Sequence, residues 1–328
     1  MQKLTTNITQ LKTYLKNQGW LKPEESIASI EKPGEGNMNF TLRVNTGART
    51  FIIKQSRGYV EKYPQVKAPE KRALKEAEFY ELTSKNTNLK AMMPKLIAVD
   101  EINNVLQLED LGSGKDFIYL YKEGKTIPED ELLQLMDFAA LLHKTITTKS
   151  IKNPVANRDM RKLNHEHIFL YPYMENNGID MDAILPGLAA VAASFKKDKE
   201  LQGKLKPLGD LYLADGAHLL HGDYFPGSWL KTADGIKIID PEFCFFGVPE
   251  FEIGITIAHL KMANQSEKLI KSALNRYSAQ AELDENLRRK FTAAEILRRI
   301  LGLAQLPLEI DLAKRKELVE EARNVILP

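Results

Sequence analysis

Cysteine is nearly absent: Cys244 stands alone among 328 residues. A lone thiol cannot close an intramolecular disulfide, and it excludes a zinc site built from several cysteines. Neither sign of charge is in excess, since 46 basic and 44 acidic residues leave a net +2. That balance gives no general surface for nucleic acid or an anionic membrane. No apolar run approaches the ~20 residues that span a bilayer. The opening MQKLTTNITQLKTYLK has no apolar core of signal-peptide length. The six histidines are scattered; His165 and His167 lie close together but no third ligand accompanies them, so they read equally as structural or substrate-lining. Repeats and low-complexity tracts are missing as well. What is left, with 27% charged and 43% hydrophobic residues, is a soluble, cytoplasmic globular chain of one large domain or two lobes.

Periodicity divides the chain in two. Ile8, Leu11 and Leu15 give helical spacing over Ile8–Gln18. Asn39–Val44 alternates as a strand does, Asn45–Ala48 has turn chemistry, and Thr50–Lys54 reads as the returning strand. A helix is expected over Glu70–Ser84, then a second hairpin from Lys95–Val99 and Asn104–Leu108. Past Glu109-Asp110-Leu111-Gly112 the character changes to helix: Glu129–His143, Leu185–Leu201, Glu250–Met262, Ser266–Tyr277, Asn286–Leu306 and Leu312–Ile326. The expectation is an α+β protein, with an antiparallel-sheet lobe over 1–109 and a larger, mainly helical lobe over 110–328. A cleft between two lobes is a usual small-molecule site.

The chemistry concentrates in LLHGDYFPGSWLKTADGIKIIDPEFCFFGVPEFEIG, residues 219–254. Asp223 sits in a loop after an apolar run, and Asp240 closes the strand-like Ile236–Ile239. Two carboxylates at neighbouring strand ends suit phosphoryl transfer, one taking the proton of the attacking hydroxyl and the other holding Mg²⁺. His221 braces the loop. Proline keeps Asp240-Pro241-Glu242 extended, and residues two apart in an extended chain point the same way, so Asp240 and Glu242 are both expected to face the metal. Mg²⁺ prefers such hard oxygen ligands. Glycines at Gly34 and Gly36 would let backbone N–H groups approach phosphate. Lys54 ends an apolar strand and needs an acidic partner if it points inward; Glu76 and Glu78 are the candidates. The paired Arg298 and Arg299 either neutralise charge at the reacting centre or form a helix face ion-paired to acids such as Glu295.

These segments together resemble the methylthioribose kinases of the aminoglycoside phosphotransferase and choline kinase family. The resemblance rests on HGDxxxGS and IDPEFxFxG, and runs roughly from Ile30 to Leu306. It implies a two-lobed, protein-kinase-like fold and transfer of phosphate from ATP, with Mg²⁺, to a hydroxyl of a small acceptor, first among them 5-methylthioribose or a related sugar. Asp223 would be the catalytic base. Ser228, in the place of the usual asparagine, would join the catalytic loop. Gly34, Gly36, Asn37 and Asn39 would form the glycine-rich turn over the nucleotide. Lys54 held by Glu76, chosen for its Lys-Glu-Ala context, would grip phosphates, and Glu109 and Leu111 would form the hinge that meets adenine. Asp240 and Glu242 would bind the metal, and Arg298 and Arg299 would reach the substrate. The resemblance implies neither nucleic acid nor membrane as partner and leaves a homodimer open. The chain departs from the family in carrying Phe225-Pro226 where His-Thr is usual, and Tyr63 where a tryptophan is usual. It is also shorter, mostly in the helical lobe.

Overall fold

The computed structural model describes residues 1–34, 36 and 38–327. Helix α1 (Ile8–Asn17) comes first, its N-terminus closed by the Asn7 side chain, which accepts the N–H of Gln10. Next come β1 (Ser29–Glu31), β2 (Phe40–Asn45), β3 (Thr50–Gln55), the short ribbon β4 (Tyr59–Val60) and β5 (Tyr63–Lys67), α2 (Arg72–Thr83), α3 (Thr87–Ala91), β6 (Leu96–Asp100) and β7 (Val105–Glu109). Five of these strands form one antiparallel sheet in the order β1-β2-β3-β7-β6.

The β2–β3 turn sets the register. Asn45 Oδ1 accepts the N–H of Gly47 at 2.7 Å, and Gly47 sits at φ +80°, where a residue without a Cβ is favoured. Asn45 then faces Thr50, and Thr41 faces Lys54. Leu42, Val44, Phe51, Ile53 and Val105 pack with Leu11, Tyr14 and Leu15 of α1 and with Trp20. Burying each such side chain contributes about 1.5–3 kcal/mol. Side chains alternate along a strand, so Lys54, next to Ile53, points to the opposite face. There α2 packs against β6 and β7.

The chain forms two compact units, Met1–Gly114 with Thr232–Cys244, and Lys115–Lys231 with Phe245–Pro328. A single boundary at 109/110 therefore misses the return of 232–244 to the first unit. Hydrogen bonds hold that segment there: Ile238 N–H to Met92 O at 2.7 Å, Lys237 Nζ to Ala91 O at 2.7 Å, and Cys244 Sγ to Lys75 O at 3.3 Å.

The second unit opens with β8 (Lys115–Asp116) and α4 (Glu129–Thr145). It continues with α5 (Arg158–His165), a π-helical turn Glu166–Leu170, a 3-10 turn Tyr171–Tyr173, α6 (Met181–Ile184), α7 (Leu188–Lys197) and α8 (Lys199–Leu213). After β9 (His218–Leu220) and β10 (Trp229–Thr232), β11 (Gly235–Ile238) belongs to the returning segment. Then follow β12 (Phe245–Gly247), α9 (Pro249–Met262), α10 (Glu267–Ser278), α11 (Glu285–Leu301) and α12 (Leu312–Ile326).

Two expected helices differ in extent. Leu185–Leu201 divides at Asp198, whose extended backbone ends α7 and whose side chain caps α8 by accepting the N–H of Leu201. Helix α8 then runs through Pro207, although an interior proline costs ~3 kcal/mol. Burial of Leu201, Leu205, Leu208 and Tyr212 overrides that local preference. Helix α11 stops at Leu301, not Leu306, because Gly302 leaves helical geometry with ψ −176°.

Helix α9 is apolar nearly all round and packs closely on α11. Gly254 is the point of closest approach. A Cβ there would lie 2.8 Å from Phe291 Cβ and 3.0 Å from Arg288 O. In a free helix, alanine in place of glycine gains ~1 kcal/mol. Here the steric term should win: Gly254→Ala is expected to destabilise by about 1–3 kcal/mol. A denaturant midpoint equal to or above wild type would contradict this packing.

Candidate active site

In the first unit, three acids and one lysine gather where β3, α2 and the returning segment meet. Lys54 is 4% exposed. Its Nζ lies 2.5 Å from Glu76 Oε2 and 2.6 Å from Asp240 Oδ1. Burial alone would push the ammonium down, but Asp240, Glu76 and Glu242 overcome it and hold Lys54 protonated above its ordinary range. Glu76 is fully buried and also accepts from the Tyr80 hydroxyl at 3.3 Å. Burial raises its carboxyl against the pull of Lys54. Glu78, the other candidate, pairs with Lys75 at 2.5 Å on the helix surface.

Asp240 and Glu242 do not adopt the expected extended chain. Asp240 lies in the left-handed region at φ +63°, and Pro241–Phe243 forms a 3-10 turn. Aspartate tolerates that region, and proline suits the first position of a helical turn. The two side chains therefore diverge. The Asp240 side chain is 51% exposed, and its Oδ2 has no partner among the described residues. Glu242 is buried, accepting Asn39 Nδ2 at 2.9 Å and pairing with Arg72 Nε at 3.2 Å. Arg72, at the start of α2, also donates to the carbonyls of Arg57, Pro69, Met38 and Tyr59. No group of three potential metal-binding side chains occurs among the described residues.

Gly34 and Gly36 are exposed, and a Cβ at either would touch nothing within 4 Å among the described residues. Glycine is thus not required sterically at these two positions. Asn37 lies outside the described residues. Glu109 ends β7, giving its N–H to Lys95 O at 2.9 Å and accepting the N–H of Lys95 at 3.0 Å. Leu111 is half-buried. Between them Asp110 accepts Arg43 Nε at 2.8 Å, and Arg43 also donates to Gly112 O at 2.6 Å. Burial would raise the Asp110 carboxyl, but its bond to Arg43 keeps it below the usual range.

In the second unit, Asp223 stands in the loop after β9. Gly222 turns the chain at φ +85° and gives its N–H to Glu252 Oε2 at 2.8 Å. The other Glu252 oxygen meets His143 Nε2 at 2.8 Å, and His143 Nδ1 meets the Tyr277 hydroxyl at 2.8 Å. Ser228 is 2% exposed and donates to Asp223 O at 2.7 Å, closing the loop on itself. On α11, Arg299 Nη2 lies 3.5 Å from Asp223 Oδ1. Burial raises the Asp223 carboxyl above its ordinary range, with Arg299 and Arg298 opposing.

Both arginines also meet Glu295, as Arg299 Nε at 2.6 Å and Arg298 Nη1 at 3.1 Å. Glu295 Oε1 further takes His259 Nε2 at 3.1 Å, and His259 Nδ1 meets the Tyr121 hydroxyl at 2.6 Å. Of the two expectations for the arginine pair, the ion-paired one describes this geometry, with Glu295 as the shared acid. Sequence reasoning missed Asn39's contact with Glu242, Arg72, and the braces Glu252, His143 and Tyr277. It also missed His259 and Tyr121. The one available signal was the apolar character of α9 on nearly every side, which demands burial and so forces partners on Glu252 and His259.

The buried network is expected to make the second unit acid-sensitive. Burial lowers His259 to about 4 from an ordinary 6.5. A base depressed in the fold binds fewer protons than when unfolded. Its contribution is complete above 6.5 and lost as pH falls towards 4, up to roughly 3 kcal/mol. Burial would raise Glu295, yet Arg298 and Arg299 hold it well below 4.5, so its contribution fades at still lower pH. His259→Gln should flatten the dependence of denaturant stability on pH between 6.5 and 4.5; an unchanged slope would exclude His259 as its source.

The model of the phosphotransferase enzyme family (APH) matches residues 29–290. Among curated relatives, the methylthioribose kinase of Exiguobacterium sibiricum is 29% identical over 249 residues, covering 72% of this chain and 61% of that protein. Methylthioribose kinase 1 of Oryza sativa subsp. japonica is 26% identical over 257 residues, covering 73% and 57%. The chain thus spans about three fifths of the length of these relatives. In fold it is similar to the choline kinase LicA from Streptococcus pneumoniae, with TM-score 0.55, 12% identity and 97% and 98% of the two chains covered. It is also similar to spectinomycin phosphotransferase APH(9)-Ia in complex with ADP and spectinomycin, with TM-score 0.53, 14% identity and 99% and 98% covered. A family match over residues 29–290, with an α+β architecture shared by these solved structures, establishes that the chain belongs to the phosphotransferase enzyme (APH) family.

Proposed function

We propose that this protein is an ATP- and Mg²⁺-dependent kinase that phosphorylates a hydroxyl of a small metabolite, with 5-methylthioribose or a related sugar as acceptor. The observation that carries the reading is the Lys54 ammonium, buried and aimed between Glu76 and Asp240. A strand lysine held this way supplies a fixed positive charge for phosphate oxygens. The names of the curated relatives support the acceptor class.

In this reading Lys54, set by Glu76, grips the donor phosphates. Gly34, Gly36, Asn37 and Asn39 belong to the turn over the nucleotide, and Glu109 and Leu111 to the adenine side. Asp240 fits Mg²⁺, because it offers a half-exposed hard oxygen donor. When bound, the ion would neutralise charge on the phosphates. Glu242 joins it as a ligand only by leaving Asn39 and Arg72; in the geometry seen it anchors the Asp240 turn. Asp223 orients the acceptor hydroxyl and takes its proton, and its raised carboxyl suits a proton acceptor. Ser228 keeps the Asp223 loop closed. Arg299, beside Asp223, stabilises charge that develops on transfer, and Arg298 supports it through Glu295. A cytoplasmic setting, where ATP and Mg²⁺ are plentiful, goes with this reading.

The test is ADP release across an acceptor panel containing 5-methylthioribose, other sugars, choline and an aminoglycoside. Asp223→Asn should lower kcat by about 10²–10⁴ while ATP binding persists. Lys54→Met and Asp240→Asn should weaken Mg-ATP binding itself. Wild-type ATP consumption by Asp223→Asn and Asp240→Asn alike would refute the assignment.

A further inference from the structure

One cluster in the helical unit is left unused by this mechanism. Asn164 lies in the last turn of α5, and His167 stands three residues on, in the π-helical turn Glu166–Leu170. Residues three apart share a helix face. That turn packs against α11, the helix of Arg298 and Arg299. Asn164 Oδ1 accepts Arg298 Nη2 at 2.9 Å. His167 is half-buried and touches the Tyr171 ring, with centroids 5.0 Å apart. Neither of its ring nitrogens has a hydrogen-bond partner among the described residues.

Two more polar groups on the adjoining elements share that condition. Arg298 Nε and the Tyr173 hydroxyl are buried without hydrogen-bond partners among the described residues. The 3-10 turn of Tyr173 also packs on α11. Native structures leave few buried polar groups unsatisfied, and each such group calls for an explanation. π-helical turns, moreover, occur often at functional sites. His165 shows the contrast. Its Nε2 lies 2.7 Å from where a Cβ on Gly209 would stand, and its ring packs on Phe169, so it fills a helix contact.

We propose that His167 is a specificity-determining residue of the acceptor subsite, and that its imidazole hydrogen-bonds a hydroxyl of an uncharged polyhydroxy acceptor. The inference rests on the kinase reading above and narrows its substrate class. Burial, aided by Arg298 and Arg299, lowers His167 to about 4. At neutral pH the ring therefore offers one donor and one acceptor. A sugar hydroxyl, which also donates and accepts, is its complement. An ammonium-bearing acceptor could use only the acceptor nitrogen and would meet two guanidinium groups.

Steady-state kinetics of the full chain test this, using the same acceptor panel. His167→Ala should raise the sugar's KM about tenfold, the loss of one hydrogen bond. The KM for ATP should stay within about twofold of wild type. His167→Gln, which keeps a donor and an acceptor, should recover most of the loss. His167→Phe keeps the ring and removes the hydrogen bonds, so it carries the same test if the alanine variant unfolds. An active wild type whose sugar KM is unmoved by both substitutions overturns the role of His167 alone. Turnover with choline or the aminoglycoside but with no sugar overturns the substrate class and His167's role together. A wild type that releases ADP with no panel member overturns the kinase reading, and the inference falls with it.

Discussion

An ammonium group with almost no water around it dictates much of the first unit. Lys54 cannot remain charged in that position by itself, since removing a lone ion from water costs several kcal/mol even after relaxation. Glu76 and Asp240 supply the compensating charge, and each must be held in place. Glu76 is fixed by α2, whose first turn is tied down by Arg72. Asp240 is fixed by a left-handed residue followed by a 3-10 turn, and that turn is anchored through Glu242 to the same Arg72 and to Asn39. One arginine thus gathers four carbonyls and a carboxylate into a frame around the lysine. Neutralising Arg72 would remove one of the two cations, with Lys54, that offset the burial of Glu242, so the frame and the lysine depend on each other.

The helical unit solves the same problem with the signs reversed. Glu295 is a buried carboxylate, and two guanidinium groups plus a neutral imidazole surround it. Shared between Arg298 and Arg299, it leaves Arg299 only a long contact to Asp223. A full ion pair would hold the Asp223 carboxyl low and make it a poor proton acceptor. At 3.5 Å, with Glu295 competing for the same guanidinium, burial prevails and the carboxyl stays raised. The loop that carries Asp223 is set separately, by the Gly222 N–H bonded to Glu252. Position and proton affinity are therefore controlled by different residues.

What the sequence made legible follows from the range of the interactions. Strand alternation around Phe51 and Ile53 places Lys54 on the face away from α1, because period-two geometry is local. The choice of Glu76 over Glu78 came from its Lys-Glu-Ala context, and their opposite faces follow from helical spacing. By contrast, Asp240-Pro241-Glu242 was read as extended from the effect of proline on its predecessor. That effect disfavours the right-handed helical region but leaves the left-handed one open to aspartate. The brace from Tyr277 through His143 and Glu252 to Gly222 spans residues more than 100 apart in part, and no local pattern announces it. Helix α5 was missed because its eight residues carry only Met160 and Leu163 as apolar side chains, too few to show a period.

The departures from the family pattern acquire physical meaning at one place. Phe225, where histidine is usual, packs at a tilt on His259 with ring centroids 5.0 Å apart, and the Arg299 guanidinium lies 5.1 Å from the centre of the Phe225 ring. A histidine there would set another imidazole beside the two arginines that already help hold His259 low. Phenylalanine offers Arg299 an aromatic face instead, an attraction of about 0.5–2 kcal/mol that carries no titrating group. The guanidinium is thereby held by a ring on one side and by Glu295 on the other. In this chain, then, the apolar residue in the Asp223 loop has an electrostatic effect, holding in place the cation that faces Asp223.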